Sequence, residues 1–549
     1  MKFKEAKTPV LAVKPLKELE LPKLTEEQED TISEIYKNPG KSVLIHGDTS
    51  TGKTRIYIEL IKRMQERKCS SIIMTPEIGL TPQLIKTLEE SFPTKVILVH
   101  SSLGDKTKRD NWIKIISSQE PLIIVGPRSA LFSPLNNIGL IVMDEAHEPS
   151  YKQEQSPYYQ TSRVAAQLAK LSNAILVMGT ATPLISDYFV LNSKKSVTTR
   201  MVKPAVSGSK RNFEKIIQTV KITDKSHFSK SNWLSNELLD SITNSLQNNE
   251  QSIIFLNRRG SAQVILCQNC GWQALCPNCD TSLTYHSDKH IMLCHSCSYN
   301  QTVPQACPVC TSPDIVFKGT GTKSITDEIS RLFNTAKVRR FDRDNKKADS
   351  LEQNYDDLLN GKIDIAVGTQ IITKGLDLPK LSTVGIVMAD SGLYFPDYMA
   401  EERTYQNLTQ VIGRVGRGHV PGRVIIQTYN PESIAIKAAT ENNYKEFYEQ
   451  QITEREKYQF PPFVFLLKIT TKRSTQKSSE SACLKLINEI RGASLPVIIN
   501  GPTPAFHEKQ GGKYVWQIII KSKERTSLLK IIDMLPTNFA YDIDPSSLL

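Results

Sequence analysis

The chain has 549 residues, 39% of them hydrophobic, with 69 Lys and Arg against 57 Asp and Glu and a formal net charge of +12. That length gives room for roughly three or four domains with cores of their own, without help from disulfides. The positive balance favours a polyanionic partner, whereas disorder, collagen-like repeats and membrane spanning are excluded, since no apolar run nears the ~18 residues a membrane helix needs.

Residues 1–22 (MKFKEAKTPVLAVKPLKELELP) interleave charge with proline and read as a basic lead-in. They lack the apolar centre of a signal peptide, so the expected location is the cytoplasm. Over residues 23–200, six short apolar runs alternate with amphipathic helical stretches: SVLIHG, SIIMTP, KVILVH, LIIVGP, GLIVMD and AILVMG. This alternation predicts an α/β lobe with a parallel sheet and functional loops at the strands' C-terminal ends. The first run leads into Gly47-Asp48-Thr49-Ser50-Thr51-Gly52-Lys53-Thr54, a G-x-x-x-x-G-K-[ST] pattern between strand and helix. Backbone N–H groups there can cradle the phosphates of ATP, with Lys53 on the β/γ-phosphates and the Thr54 hydroxyl on Mg²⁺. The fifth run ends in Asp144-Glu145-Ala146-His147. Asp144 at a strand tip can hold Mg²⁺, and Glu145 can orient the attacking water and accept its proton.

Residues 201–231 are polar and basic and read as a connector. A second α/β series occupies 232–265 and 312–430, through QSIIFLN, DIVFKG, KVRRFD, IDIAVG, VGIVMAD and RVIIQTY. It has no second phosphate loop. Instead it carries Gln410-Val411-Ile412-Gly413-Arg414-Val415-Gly416-Arg417, which predicts Arg414 and Arg417 on one helix face, able to press on the γ-phosphate from across a cleft. One lobe holding ATP and another supplying arginine is the architecture of a nucleic-acid translocase.

Eight of the ten cysteines fall in the block 266–311, as Cys267/Cys270, Cys276/Cys279, Cys294/Cys297 and Cys307/Cys310. Four CxxC pairs in turn-forming settings predict two closed, structural Cys₄ zinc sites; spacing alone leaves their pairing open. With eight thiolates at hand, His286, His290 and His295 are expected bystanders. The block interrupts the second α/β series, so it is an insertion. Residues 431–549 begin with a helical stretch and continue as strand, helix, strand, strand, helix, strand, a small α+β domain.

DEAH, Gly179-Thr180-Ala181-Thr182-Pro183 and QVIGRVGR resemble motifs of helicase superfamily 2, and the closer resemblance is to the PriA family of bacterial replication-restart helicases. It is carried by PEIGLTPQ (76–83), GPRSALF (126–132), SYKQEQ (150–155), FLNRRG (255–260), the eight-cysteine insert, GTGT (319–322), GTQIITKGLDLP (368–379), QFPPF (459–463) and DIDPSSLL (542–549). The resemblance implies two RecA-like lobes and a DNA-stimulated ATPase that unwinds duplex 3′→5′ at abandoned forks, so that the replicative helicase can be reloaded. It implies as partners single-stranded and forked DNA, other primosome proteins, single-strand-binding protein and the replicative helicase or its loader. Gln28 would read the adenine, Thr180 and Thr182 would couple nucleotide state to DNA, and Gly368, Thr369 and Lys374 would lie along the strand path. Arg414 and Arg417 would complete the ATP site. The zinc pairing it implies is nested: Cys267, Cys270, Cys307 and Cys310 on one ion, Cys276, Cys279, Cys294 and Cys297 on the other. Tyr151, Tyr158 and Tyr159 after the DEAH box fit either a base-stacking, DNA-sensing loop or ordinary half-buried loop tyrosines.

Two departures stand out. Ala146 replaces the family's usual second Glu, a change shared with other active helicases. Gly47 also arrives with no room for the 3′-end-binding and winged-helix domains that precede the phosphate loop in the family, so 3′-end recognition is expected from a partner, from the core and zinc module, or from a longer N-terminus. Other readings are a translocase or RNA helicase without a restart role, and a non-catalytic zinc scaffold; the complete set Lys53, Thr54, Asp144, Glu145, Arg414 and Arg417 argues against the scaffold.

Overall fold

The computed structural model describes residues 21–38, 40–76, 82–193, 196–203, 205, 215–257, 265–286, 290–316, 322–341, 353–369, 378–416 and 420–549. In the first lobe, all six expected strands form one sheet with a seventh, in the order Val96–Leu98, Ile123–Gly126, Ser70–Met74, Ile138–Asp144, Ile175–Thr180, Ser42–Gly47, Val197–Met201. Every pairing is parallel. The strands read as unbroken apolar runs because helices cover both faces. Val43, Ile45 and Val142 face one core, and Leu44, Ile141 and Met143 face the other.

The second lobe is also a parallel sheet, ordered Lys215–Lys221, Gly422–Thr428, Leu381–Val387, Gln251–Leu256, Ile365–Gly368, Val338–Phe341. Two expectations need correction here. Residues 215–221, read as connector, form the edge strand; its alternation is weak because it is exposed at all positions but Ile217 and Val220. Of DIVFKG the described residues are Asp314, Ile315 and Val316, and Ile315–Val316 pairs with Leu266–Cys267 at the base of the cysteine block, not with this sheet. The helices Ile434–Glu441 and Tyr444–Lys457, assigned above to the C-terminal unit, pack on this lobe through Ala435, Ile436, Ala438, Ala439, Tyr444 and Phe447.

The last unit is an antiparallel sheet ordered Ile498–Gln510, Lys513–Ser522, Phe465–Arg473, Phe539–Ile543, with helices Gln476–Gly492 and Arg525–Asp533 packed on it. The expected βαββαβ order is observed. Among the described residues no helix is long and apolar enough to cross a membrane.

Candidate nucleotide site and metal centres

The phosphate loop leaves the strand Ser42–Gly47 at its C-terminal end and enters the helix Lys53–Glu66. Its turn needs Gly52, whose φ of 78° is left-handed and whose missing Cβ would sit 2.4 Å from Gln28 Nε2. The Lys53 ammonium donates to the carbonyls of Gly47 (2.7 Å) and Asp48 (3.3 Å). Thr51 Oγ1 donates to the Asp48 carbonyl, closing the loop on itself. Asp48 pairs with Arg200 and accepts from Asn442 Nδ2 at 2.8 Å, a contact from the second lobe. Gln28, expected to face adenine, is buried. Its amide donates to the carbonyls of Thr51 (3.1 Å) and Gly52 (3.4 Å), while its Oε1 accepts from Thr25 N in a capping box. Thr49, Ser50 and Thr54 follow the same loop and the helix start.

Asp144 ends the strand Ile138–Asp144, one strand removed from the phosphate-loop strand, and is half-buried there, where Tyr57 Oη donates to its Oδ1 at 3.0 Å. Burial, then the adjacent Glu145, push its carboxyl up to about 7, against the opposing pull of Lys53. Glu145 turns into the left-handed region, φ 46°, which lets two consecutive carboxylates leave the strand end in different directions. Two carboxylates at the strand tip, with Thr54 beside Lys53 at the helix start, form an oxygen donor set that suits Mg²⁺.

The second lobe closes on this loop. A Cβ on Gly413 would lie 2.7 Å from Thr49 Oγ1, so the lobes approach to a distance only glycine allows. His147 spans the interface. Its Nδ1 is 2.6 Å from Thr180 Oγ1, and its Nε2 meets the side-chain amide of Gln410. Thr180 Oγ1 in turn accepts from Thr182 N at 3.1 Å, and Gln406 Nε2 donates to the Thr182 carbonyl at 3.4 Å. Tyr57, His147 and Gln410 were not among the expected site residues. His147 and Gln410 stood inside quoted motifs, but nothing in one sequence shows that they meet.

Two further expectations change. The helix Ala400–Ile412 stops before Arg414, because Gly413 caps it and Gly416 (φ 74°) turns the chain away, so Arg414 is not on that helix. Arg414 lies in the turn that follows, and Arg417 falls outside the described residues, as does Lys374. Tyr151 is no stacking platform. It is 4% exposed, with its hydroxyl between the carbonyls of Asp144 (2.7 Å) and Met74 (3.0 Å). Tyr158 and Tyr159 are half-buried, against Tyr541 and Phe132. Thr369 follows the strand Ile365–Gly368 and donates its N–H to the Phe341 carbonyl.

In the cysteine block, Cys267, Cys270, Cys307 and Cys310 converge, as do Cys276, Cys279, Cys294 and Cys297, with all four sulfurs of each group within 4.8 Å of one another. Cys267 and Cys310 are 3.5 Å apart, Cys270 and Cys307 3.6 Å, and Cys276 and Cys297 3.5 Å. A tetrahedral zinc with bonds of about 2.3 Å requires sulfurs about 3.8 Å apart, so both groups fit one Zn²⁺ each, in the nested pairing. The histidines stay outside both groups. His295 is buried with Nδ1 2.8 Å from the Pro504 carbonyl, and His286 pairs with Glu508.

The chain matches the DEAD/DEAH box helicase family over residues 25–188 and the helicase conserved C-terminal domain over 314–419. It also matches the PriA DNA helicase Cys-rich region over 276–301 and the primosomal protein N C-terminal domain over 456–543. It is 33% identical to the replication restart protein PriA of Bacillus subtilis, over 95% of this chain and 65% of that protein. The chain thus spans just under two thirds of that relative's length. The PriA of Haemophilus influenzae is 33% identical over 93% of this chain and 69% of its own. That of Borreliella burgdorferi is 32% identical over 93% and 76%. With both helicase lobes, the inner Cys₄ group and the C-terminal domain matched, and relatives at 32–33% identity covered over more than two thirds of their length, the chain belongs to the PriA family of replication restart proteins.

Proposed function

We propose that the chain is an ATP-dependent DNA helicase of replication restart, moving 3′→5′ at stalled or abandoned forks so that the replicative helicase can be reloaded. The observation that carries this reading is the closed cleft, in which Thr49 of the phosphate loop meets Gly413 and His147 links Thr180 to Gln410 across the lobes. A hydrolysis site built across two lobes converts a change at the γ-phosphate into a change of lobe spacing. In this reading Lys53 binds the β/γ-phosphates and Glu145 takes the proton of the attacking water. Arg414 and Arg417 reach the phosphates from the second lobe, and Gln28 fixes the loop beside the adenine. Asp144 and Thr54 would hold Mg²⁺, which would supply positive charge against the charge that develops on the phosphates. His147 reports the state of the site to Thr180 and Gln410. The zinc ions are structural. We assign ATP binding to residues 23–200, the second lobe to 215–265 and 322–457, and the two-zinc module to 266–316. Single-stranded and forked DNA, primosome proteins, single-strand-binding protein and the replicative helicase or its loader are the proposed partners, in the cytoplasm.

The test is ATP hydrolysis alone, then with single-stranded DNA, forked DNA and RNA. Strong stimulation by forked DNA over RNA is expected. Equal stimulation by every polyanion would replace restart with general translocation, and no hydrolysis at all would move a scaffold role to the front.

A further inference from the structure

The segment after the DEAH box is held at both ends by the C-terminal sheet and not by its own lobe alone. The Lys152 side chain is 1% exposed, yet its ammonium lies 2.7 Å from Asp542 Oδ1 and donates to the Ile543 carbonyl at 2.7 Å. Both partners belong to the strand Phe539–Ile543, some 390 residues away in sequence. Next in the chain, Asp544 pairs with Arg525 of its own unit (2.6 Å) and with Arg163 (3.6 Å), which stands on the helix that ends the same segment. Tyr158 packs on Tyr541. On the other side, Tyr151 precedes Lys152 and places its hydroxyl 2.7 Å from the carbonyl of Asp144, while Thr161 donates to the Tyr151 carbonyl and Arg128 to those of Ser150 and Lys152.

A buried ammonium is tolerated only while it is paired. Docking of the last strand pairs Lys152, and Lys152 follows Tyr151, whose hydroxyl meets the Asp144 carbonyl, so a continuous line of contacts runs from the C-terminal sheet to the strand tip that carries Asp144.

We propose that Lys152 is a positioning residue, and that its pair with Asp542 makes the C-terminal sheet a control element for the hydrolysis site, which a ligand that shifts that sheet would loosen or tighten. This rests on the reading of the site as a DNA-stimulated ATPase, and two readouts keep the two apart. The first is amide hydrogen exchange of residues 144–153 in the full, zinc-loaded chain, wild type against Asp542→Asn and Lys152→Met. Both variants are expected to exchange about tenfold faster there, with unchanged exchange in the strand Ser42–Gly47. The second is DNA-stimulated ATP hydrolysis, expected to fall about tenfold in kcat with KM for ATP within about twofold. A lysine that merely supported folding would lower the melting temperature and leave that split absent. Should Lys152→Met fail to fold, the near-isosteric Asp542→Asn decides the matter. Exchange at 144–153 equal to wild type in Asp542→Asn overturns the proposal even if hydrolysis has changed. Faster exchange in a chain whose wild type never hydrolyses ATP upholds the latch and removes the function proposed for the site.

Discussion

In the first lobe, Gly47, Asp144 and Thr180 end neighbouring strands buried on both faces, and the loop after Gly47 carries Lys53. In the module between Cys267 and Cys310, strands run for two or three residues, and its apolar cluster of Ile265, Ala274, Leu283 and Met292 is completed by Phe460, Val464, Leu466, Ile519 and Leu548 from the C-terminal unit. The lobe positions its chemistry by apolar packing around a sheet. The module has too little packing for that, and positions its chain by ligands. The same protein thus contains one region in which the core makes the site, and one in which the site makes the core.

Metal removal breaks that contrast most strongly. Binding of a structural zinc contributes on the order of 10 kcal/mol at neutral pH to the fold it closes. Chelation is expected to release two zinc ions per chain and expose residues 266–316 to protease, while the parallel sheets keep their circular dichroism. Cys276→Ser should lose one ion of two by metal analysis. A stripped module that stayed resistant to protease would refute its dependence on ligands. The lobe should fail in the opposite way: Ile141→Ala, at a fully buried position of the first sheet, is expected to cost about 2–5 kcal/mol by cavity formation. Leu275→Ala in the module, where the side chain is 47% exposed, should lie within about 0.5 kcal/mol of wild type by denaturant unfolding. Equal costs at the two positions would erase the comparison.

What the sequence reveals follows the same division. Strand SVLIHG and its loop are legible because local pattern decides them: an apolar run, then glycines where backbone must approach phosphate. The cysteine pairs are legible as metal ligands for a similar reason, since C-x-x-C is a local geometry, but their nested partnership is set by tertiary folding and entered only through family resemblance. The strand Lys215–Lys221 was missed because an exposed edge strand carries no alternation. Arg414 was misplaced because helical spacing was extended through Gly413, whose role is to end the helix and touch Thr49. Tyr151 looked like a stacking residue because aromatic side chains in a polar loop have the same composition whether they face solvent or, as here, a buried carbonyl. His147, Gln410 and Lys152 became visible only when residues hundreds of positions apart were brought together.

A sharper contrast is between residues that hold the fold and residues that do chemistry inside it. Lys53→Ala is expected to slow ATP hydrolysis by about 10²–10³-fold, equivalent to about 3–4 kcal/mol in the transition state, because the removed ammonium acts on phosphate charge as it develops. DNA binding and thermal stability should change little, since the bonds lost are two to loop carbonyls at the lobe surface. Retained hydrolysis would displace Lys53 from the site.

A pH-dependent effect lies one residue before the loop. His46 is buried on the strand that feeds it, with its ring centroid 4.8 Å from Tyr444 and 6.1 Å from Tyr188. Burial, then the charges of Arg200 and Lys53, lower its pKa from 6.5 to about 3. Between these values the unfolded chain binds a proton that the folded one refuses, so this contribution is fully present above pH 6.5 and is lost as pH falls toward 3. One proton accounts for at most about 1.4 kcal/mol per pH unit. Asp144, pushed up to about 7, and Asp187, pushed up to about 6, act with the opposite sign, holding protons in the folded state and gaining stability as pH falls. The wild-type slope is therefore a difference of opposed terms, and the measurement is the change in slope on His46→Gln. Between pH 6.5 and 5 the variant should lose less stability per pH unit than the wild type, by denaturant unfolding at each pH. Parallel curves would mean that His46 is protonated in the folded lobe, and that the strand leading into the phosphate loop is less tightly enclosed than its packing against Tyr188 and Tyr444 implies.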